Sequence, residues 1–191
     1  MTAAIRLIVG LGNPGAAYDR TRHNAGADLV DTLADRFGVV LRPDARCHGR
    51  VARVPPDLRL LVPDTFMNRS GQAVVALLQF YRIPPDSMLV VHDDLDLPPG
   101  TVRLKLGGGH GGHNGLRDIM AVLGERRDFA RLRIGIGHPG PGADVVGYVL
   151  RRPPPAEREL IESAFARAAD VIPDLVAGEF NRAMQRLHTS N

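Results

Sequence analysis

Asn13, His23, Asn68, Asp93, His113 and Asn114 are the residues whose types could together do chemistry. They fall near the ends of segments that read as buried strands, where open α/β sheets keep their ligands. An imidazole beside a carboxylate is the minimum for activating water. The ring takes the proton, and the carboxylate fixes its tautomer and stabilises the imidazolium. Amide side chains donate without charge and suit a carbonyl or a developing oxyanion. A lone histidine near a helix start is more often a cap or a solvated residue, so spacing alone leaves the role of His23 open. Asp93, Asp94 and Asp96 read either as metal ligands or as one catalytic carboxylate with solvated neighbours. A zinc site built from His23, His110, His113 and these acids is a weaker alternative, because no H-E-x-x-H or paired-cysteine spacing supports it. Nucleophilic serine is disfavoured: there is no G-x-S-x-G elbow, and Ser70 is explained as a helix cap.

These residues need elements to position them. The organising stretch runs from Lys105 to Gly115, with six glycines in eleven residues, two histidines and an asparagine. Glycine is costly to order, so such a run in a folded domain suits close approach of backbone to a ligand or positive φ. A flexible linker would carry serine instead. Thr101 to Leu106 reads as the strand entering this loop. Leu116, Ile119, Met120 and Leu123 mark the helix leaving it.

Further strands are predicted over Ile5 to Gly10, Gly49 to Val54, Leu58 to Val62, Met88 to His92 and Phe129 to Ile136. The last has a polar face made by Arg131 and Arg133. Helices are expected from Leu29 to Phe37, after Ser70 as N-cap, over Asp144 to Leu150 and from Ala156 to Ala177. Pro173 is expected to interrupt or kink the last of these. The alternation gives an α/β fold: a three-layer α/β/α single domain with a mixed, mostly parallel twisted central sheet flanked by helices. The domain spans 1–191, with a C-terminal helical tail over about 156–191 packed on it.

Composition sets limits on function. The 44% apolar and 24% charged shares are ordinary for a globular chain, and the net charge of +3 permits an anionic partner without requiring one. Lys105 is the only lysine among 24 basic residues. Cys47 is alone, which excludes an internal disulfide and a thiolate metal cluster and fits a reducing compartment. No signal peptide or membrane-length apolar run is present, so a cytoplasmic protein is expected. Gly10 to Gly15 formally matches the dinucleotide fingerprint G-x-G-x-x-G. The helical pattern begins too late to cradle a pyrophosphate there.

Six blocks in order carry a resemblance. They are Leu7 to Gly15, Thr21 to Gly26, Phe66 to Gly71, His92 to Gly100, Gly107 to Gly115 and Leu132 to Pro139. Together they resemble bacterial peptidyl-tRNA hydrolase from about Ile5 to Leu187. The resemblance implies hydrolysis of the ester joining a peptide to the 3′ ribose of tRNA, and recycling of tRNA from prematurely released peptidyl-tRNA. It implies no metal or organic cofactor, a monomer, and peptidyl-tRNA as partner.

By the same match His23 is the general base and Asp93 its supporting carboxylate. Asn13 helps accept blocked over free aminoacyl ends. Tyr18, Phe66, Asn68 and Asn114 contact the peptide and the tRNA 3′ end, and Met67 lines the peptide side. Lys105 and Arg133 grip the 5′-terminal phosphate, with His113 nearby. The stretch from Gly137 to Val149 corresponds to a gate. Two rival readings stand beside this one: a non-catalytic RNA-binding module, and a nucleotide-dependent oxidoreductase resting on Gly10 to Gly15.

Overall fold

The protein was analysed as a computed structural model that describes residues 2–190. Met1 and Asn191, the outermost residues of the expected 1–191 span, lie outside it. Seven strands form one sheet: β1 (Leu7–Gly10), β2 (Arg42–Asp44), β3 (Gly49–Val54), β4 (Leu58–Pro63), β5 (Met88–Asp94), β6 (Val102–Leu106) and β7 (Ala130–Gly135). Their order is β2-β3-β4-β1-β5-β7-β6. The central β4, β1, β5 and β7 are parallel, while β2, β3 and β6 join antiparallel at the edges. This is the expected mixed, mostly parallel sheet. Strand β2 carried no sequence signal, because its residues Arg42-Pro43-Asp44 are neither β-branched nor buried.

Six helices cover the faces: α1 (Ala25–Phe37), α2 (Ser70–Tyr81), α3 (Asn114–Val122), α4 (Val145–Val149), α5 (Pro155–Val176) and α6 (Phe180–Thr189). Period-two alternation divides the core. Ile8, Leu89, Val91 and Leu132 pack with α1, α5 and α6 on one face. Leu7, Val9, Met88 and Val90 pack with α2 and α3 on the other.

Three sequence expectations are corrected. Ser70 does not cap α2: it is the first helical residue, and its Oγ donates to Met67 O at 2.7 Å. A preceding 3₁₀ turn (Met67–Arg69) extends the helical path beyond the apolar stripe. Pro173 does not interrupt α5, which runs through it to Val176. It lies in the last turn, where Ala177 N–H still reaches Pro173 O, so only one ladder bond is forfeited. Helix α1 also starts earlier than its apolar stripe suggested, directly after His23 and Asn24.

That early start depends on a close backbone approach. A Cβ on Gly26 would sit 2.2 Å from Val91 O, and one on Gly10 would sit 2.4 Å from Gly26 O. Two facing glycines therefore let the first turn of α1 lie against β1 and β5, fixing the preceding residues above the end of β5. Because the obstructing atoms are backbone, Gly26→Ala forces helix and strand apart. We expect a loss of about 1–3 kcal/mol in denaturant unfolding. Wild-type stability in the variant would show that the approach is not tight.

Candidate functional site

Asp93 sits at the carboxyl end of β5, 4% exposed, and receives two imidazoles. His23 Nδ1 lies 3.0 Å from both carboxylate oxygens. His113 Nε2 lies 2.9 Å from Oδ1. Burial alone would raise the Asp93 carboxyl, but the electrostatics and hydrogen bonds of His23 and His113 hold it well below the carboxylate range. An ionised carboxylate only accepts, so His23 Nδ1 carries its proton and leaves the Nε2 lone pair free.

The tautomer of His113 follows from the same pattern. Its Nδ1 accepts from Gly115 N–H at 3.1 Å and Leu116 N–H at 3.3 Å, capping α3. The proton therefore resides on Nε2, facing Asp93. One neutral ring thus ties the first turn of α3 to the carboxylate.

A third imidazole, His92, was not singled out from the sequence. Its Nδ1–H donates to the Asp93 backbone carbonyl at 2.8 Å. Complete burial and the neighbouring His113 push it down to about 3, so it stays neutral. Its Nε2 has no partner among the described residues.

His23 occupies a 3₁₀ turn (Arg22–Asn24) whose three polar residues are all buried. Asn24, also missed, bonds the Asn13 backbone twice: its Oδ1 accepts from Asn13 N–H at 2.8 Å, and its Nδ2 donates to Asn13 O at 3.0 Å. On the other side Arg22 stacks 3.8 Å over the Tyr148 ring, donates to Tyr148 O and pairs with Glu157. The turn is thus held from both flanks. No periodicity announces a buried polar turn, so only the block Thr21-Arg22-His23-Asn24 could have pointed to it.

The remaining expected residues divide into two groups. His23, Asp93, His113, Asn114, Lys105 and Arg133 all line one cavity of about 410 Å³. Arg133 donates to Asp94 at 2.7 Å, while Lys105 is exposed. The second group lies outside that lining. Asn13 Oδ1 accepts from Met67 N–H at 2.7 Å, and Met67 is buried beside Gly115. Tyr18 meets Phe66 edge to face at 6.2 Å, with Phe66 57% exposed. Asn68 is exposed in the turn before α2.

The acids do not converge. Asp94 turns to Arg133 and to Asp96 N–H, and only Asp93 joins His23 and His113 in a set whose ligand atoms lie within 4.8 Å. His110 accepts from Gly112 N–H in its own turn. A cation at the three-residue set would have to displace the proton by which each imidazole holds Asp93. The first turn of α1 packs directly on Gly10 and Gly12, and its Ala27 N–H is taken by Leu11 O, so that helix end is closed by the chain itself and leaves no open cradle for a pyrophosphate.

Residues 7–191 match the peptidyl-tRNA hydrolase family. A peptidyl-tRNA hydrolase of Pseudomonas savastanoi pv. phaseolicola is 58% identical over 189 residues, covering 97% of each chain. One from Teredinibacter turnerae is 55% identical and covers both chains entirely. The crystal structure of peptidyl-tRNA hydrolase from Acinetobacter baumannii superposes with a TM-score of 0.92 at 50% identity, covering 96% of this chain and 94% of that one.

Burial of the His23 ring opposes protonation, but the Asp93 charge and hydrogen bond outweigh it and raise its pKa above 6.5. The resulting stabilisation is complete below pH 6.5 and fades as pH rises through the folded value. The low Asp93 value acts in the opposite sense, stabilising above its ordinary value near 3.8 and losing that contribution on acidification. Asp93→Asn removes the raising influences and leaves burial. We expect NMR titration of His23 to show a midpoint above 6.5 in the wild type and below it in Asp93→Asn. Identical midpoints would mean that Asp93 does not hold the ring.

Proposed function

Since this chain belongs to the peptidyl-tRNA hydrolase family and is a hydrolase acting on the ester bond, we propose that His23 is its general base and Asp93 the carboxylate that holds it. The reading is carried by one observation: His23 Nδ1 faces both Asp93 oxygens, which leaves Nε2 as the acceptor. Water bound at Nε2 loses a proton to the ring as it attacks the ester carbonyl. Asp93 stabilises the imidazolium as it forms. The proton then passes to the departing 3′ oxygen of the ribose, releasing peptide and tRNA without a covalent enzyme intermediate. His113 donates to the same carboxylate and keeps it aligned while the charge on His23 changes.

The amide groups supply recognition. Asn114 Oδ1 accepts from Arg117, which leaves its Nδ2 free to meet a carbonyl or oxyanion. Asn13 Oδ1 is spent on Met67 N–H, so its Nδ2 remains as a neutral donor. Such a donor meets the acyl oxygen of a blocked end and gains nothing from an ammonium, which favours blocked over free aminoacyl ends. Tyr18, Phe66 and Asn68 contact the peptide and the tRNA 3′ end beside Met67. Lys105 and Arg133, which line the same cavity, grip the 5′-terminal phosphate. Phosphate contacts carry no base sequence and suit an enzyme that serves many tRNAs.

The cellular role that follows is recycling tRNA from prematurely released peptidyl-tRNA during translation in the cytoplasm. The monomer we propose needs no partner to bring His23, Asp93, His113 and Asn114 together, because one chain supplies all four to the cavity.

Purified protein incubated with an N-blocked aminoacyl-tRNA and its unblocked counterpart should deacylate only the blocked one. Equal release from both would remove the proposed role of Asn13. His23→Ala should lower kcat by about 10²–10⁴ while retaining substrate binding; an undiminished kcat excludes His23 as base. Lys105→Ala should raise KM more than it lowers kcat and weaken the salt dependence of kcat/KM by about one phosphate contact. An unchanged salt slope would count against the phosphate contact.

A further inference from the structure

Arg131 is the least expected residue of the cavity wall. The alternation of β7 assigns it to a polar face beside Arg133, yet it is 3% exposed. Its guanidinium donates through Nη1 to Gly109 O and through Nη2 to Gly108 O. Its Nε is buried without a partner, and among the described residues no carboxylate pairs with it. Burial, together with the Arg133 and Arg127 charges, pulls its pKa down to about 10, so it remains a cation. A buried charge is normally paired, and this one is not.

The sheet register explains the concentration of charge. Arg131 lies opposite Lys105, and Arg133 opposite Arg103, in the antiparallel β6–β7 pair. Cross-strand partners and residues two apart share a face, so all four cations stand on one side of this corner. The carboxylate engaged there is Asp94, and it is taken by Arg133.

The glycine loop lies over Arg131. Arg131 draws two successive loop carbonyls inward, so the N–H groups of Gly109 and His110 face away from it across trans peptides. Neither N–H has a partner among the described residues. Lys105 fits against Gly108, where a Cβ would come within 2.9 Å of Nζ.

We propose that Arg131 is a positioning residue for substrate phosphate, pinning the Gly107–Gly112 loop and Lys105 in place and leaving its own charge for the anion to balance. The inference rests on the reading that Lys105 and Arg133 receive the 5′-phosphate of peptidyl-tRNA. It goes further by assigning the third cation and the loop to the same task. An oriented set of amides above a buried cation is a seat for an anion.

The test compares 5′-phosphorylated and dephosphorylated peptidyl-tRNA on wild type, Arg131→Met and Arg131→Lys, with thermal melts to confirm folding. In the wild type, removing the phosphate should raise KM about tenfold with little change in kcat. In Arg131→Met that ratio should fall towards one, because KM rises on the phosphorylated substrate alone. Arg131→Lys keeps the charge but cannot hold two carbonyls, so its ratio should drop to a few-fold. It carries the test if the methionine variant does not fold.

A wild-type ratio in a folded variant, or an equal loss on both substrates, overturns the role of Arg131 and leaves the Lys105 and Arg133 reading intact. A wild type indifferent to the phosphate overturns both.

Discussion

One buried carboxylate, Asp93, must find donors from every direction, and the layout of the site follows from that requirement. Its two oxygens take His23 and His113, and its backbone carbonyl takes His92. Each ring arrives on a different element, so satisfying Asp93 fixes those elements relative to one another. The turn before α1 comes from above the end of β5, α3 enters from the glycine loop, and His92 stands on β5 itself. Leaving out His23 or His113 would strand part of a charge in the interior, at a cost well above that of an ordinary hydrogen bond, and leaving out His92 would remove a donor from a backbone carbonyl. The Gly10 and Gly26 contact is the geometric condition for the first of these approaches.

The cavity also combines two kinds of charge. At His23 the proposed chemistry needs a group that changes protonation, and attraction from Asp93 outweighs burial there. The same cavity carries an exposed lysine, an arginine paired with Asp94 and an arginine paired with nothing acidic among the described residues. A titrating imidazole and a set of basic side chains in one cavity suit a substrate that is neutral at its reacting ester and anionic along its backbone.

Much of this was legible in the sequence, and for physical reasons. Strand runs such as Met88 to His92 are apolar and β-branched, and glycine loops between a strand and a helix are rarely idle. The pairing of His23 with Asp93 came from ordered blocks, not from spacing, since 70 residues separate them. Asn24 and His92 were unreadable as supports because a buried polar residue shows no periodicity of its own. The burial of Arg131 was not legible, because alternation identifies a face without revealing what covers it. Here the cover is backbone from the glycine loop, and no apolar stripe betrays that. The continuation of α5 through Pro173 depended on how near the proline lies to the helix end, which a propensity reading does not locate.

The scarcity of lysine has a practical side. The one side-chain amine in 191 residues stands exposed on the cavity wall, while every other basic side chain apart from histidine is a guanidinium. Reagents that acylate amines would therefore write on a single side chain of the folded chain, and at a location of interest. A fluorophore or spin label attached there would look into the cavity without any engineered cysteine, and Cys47, being fully buried, would leave the signal uncontaminated.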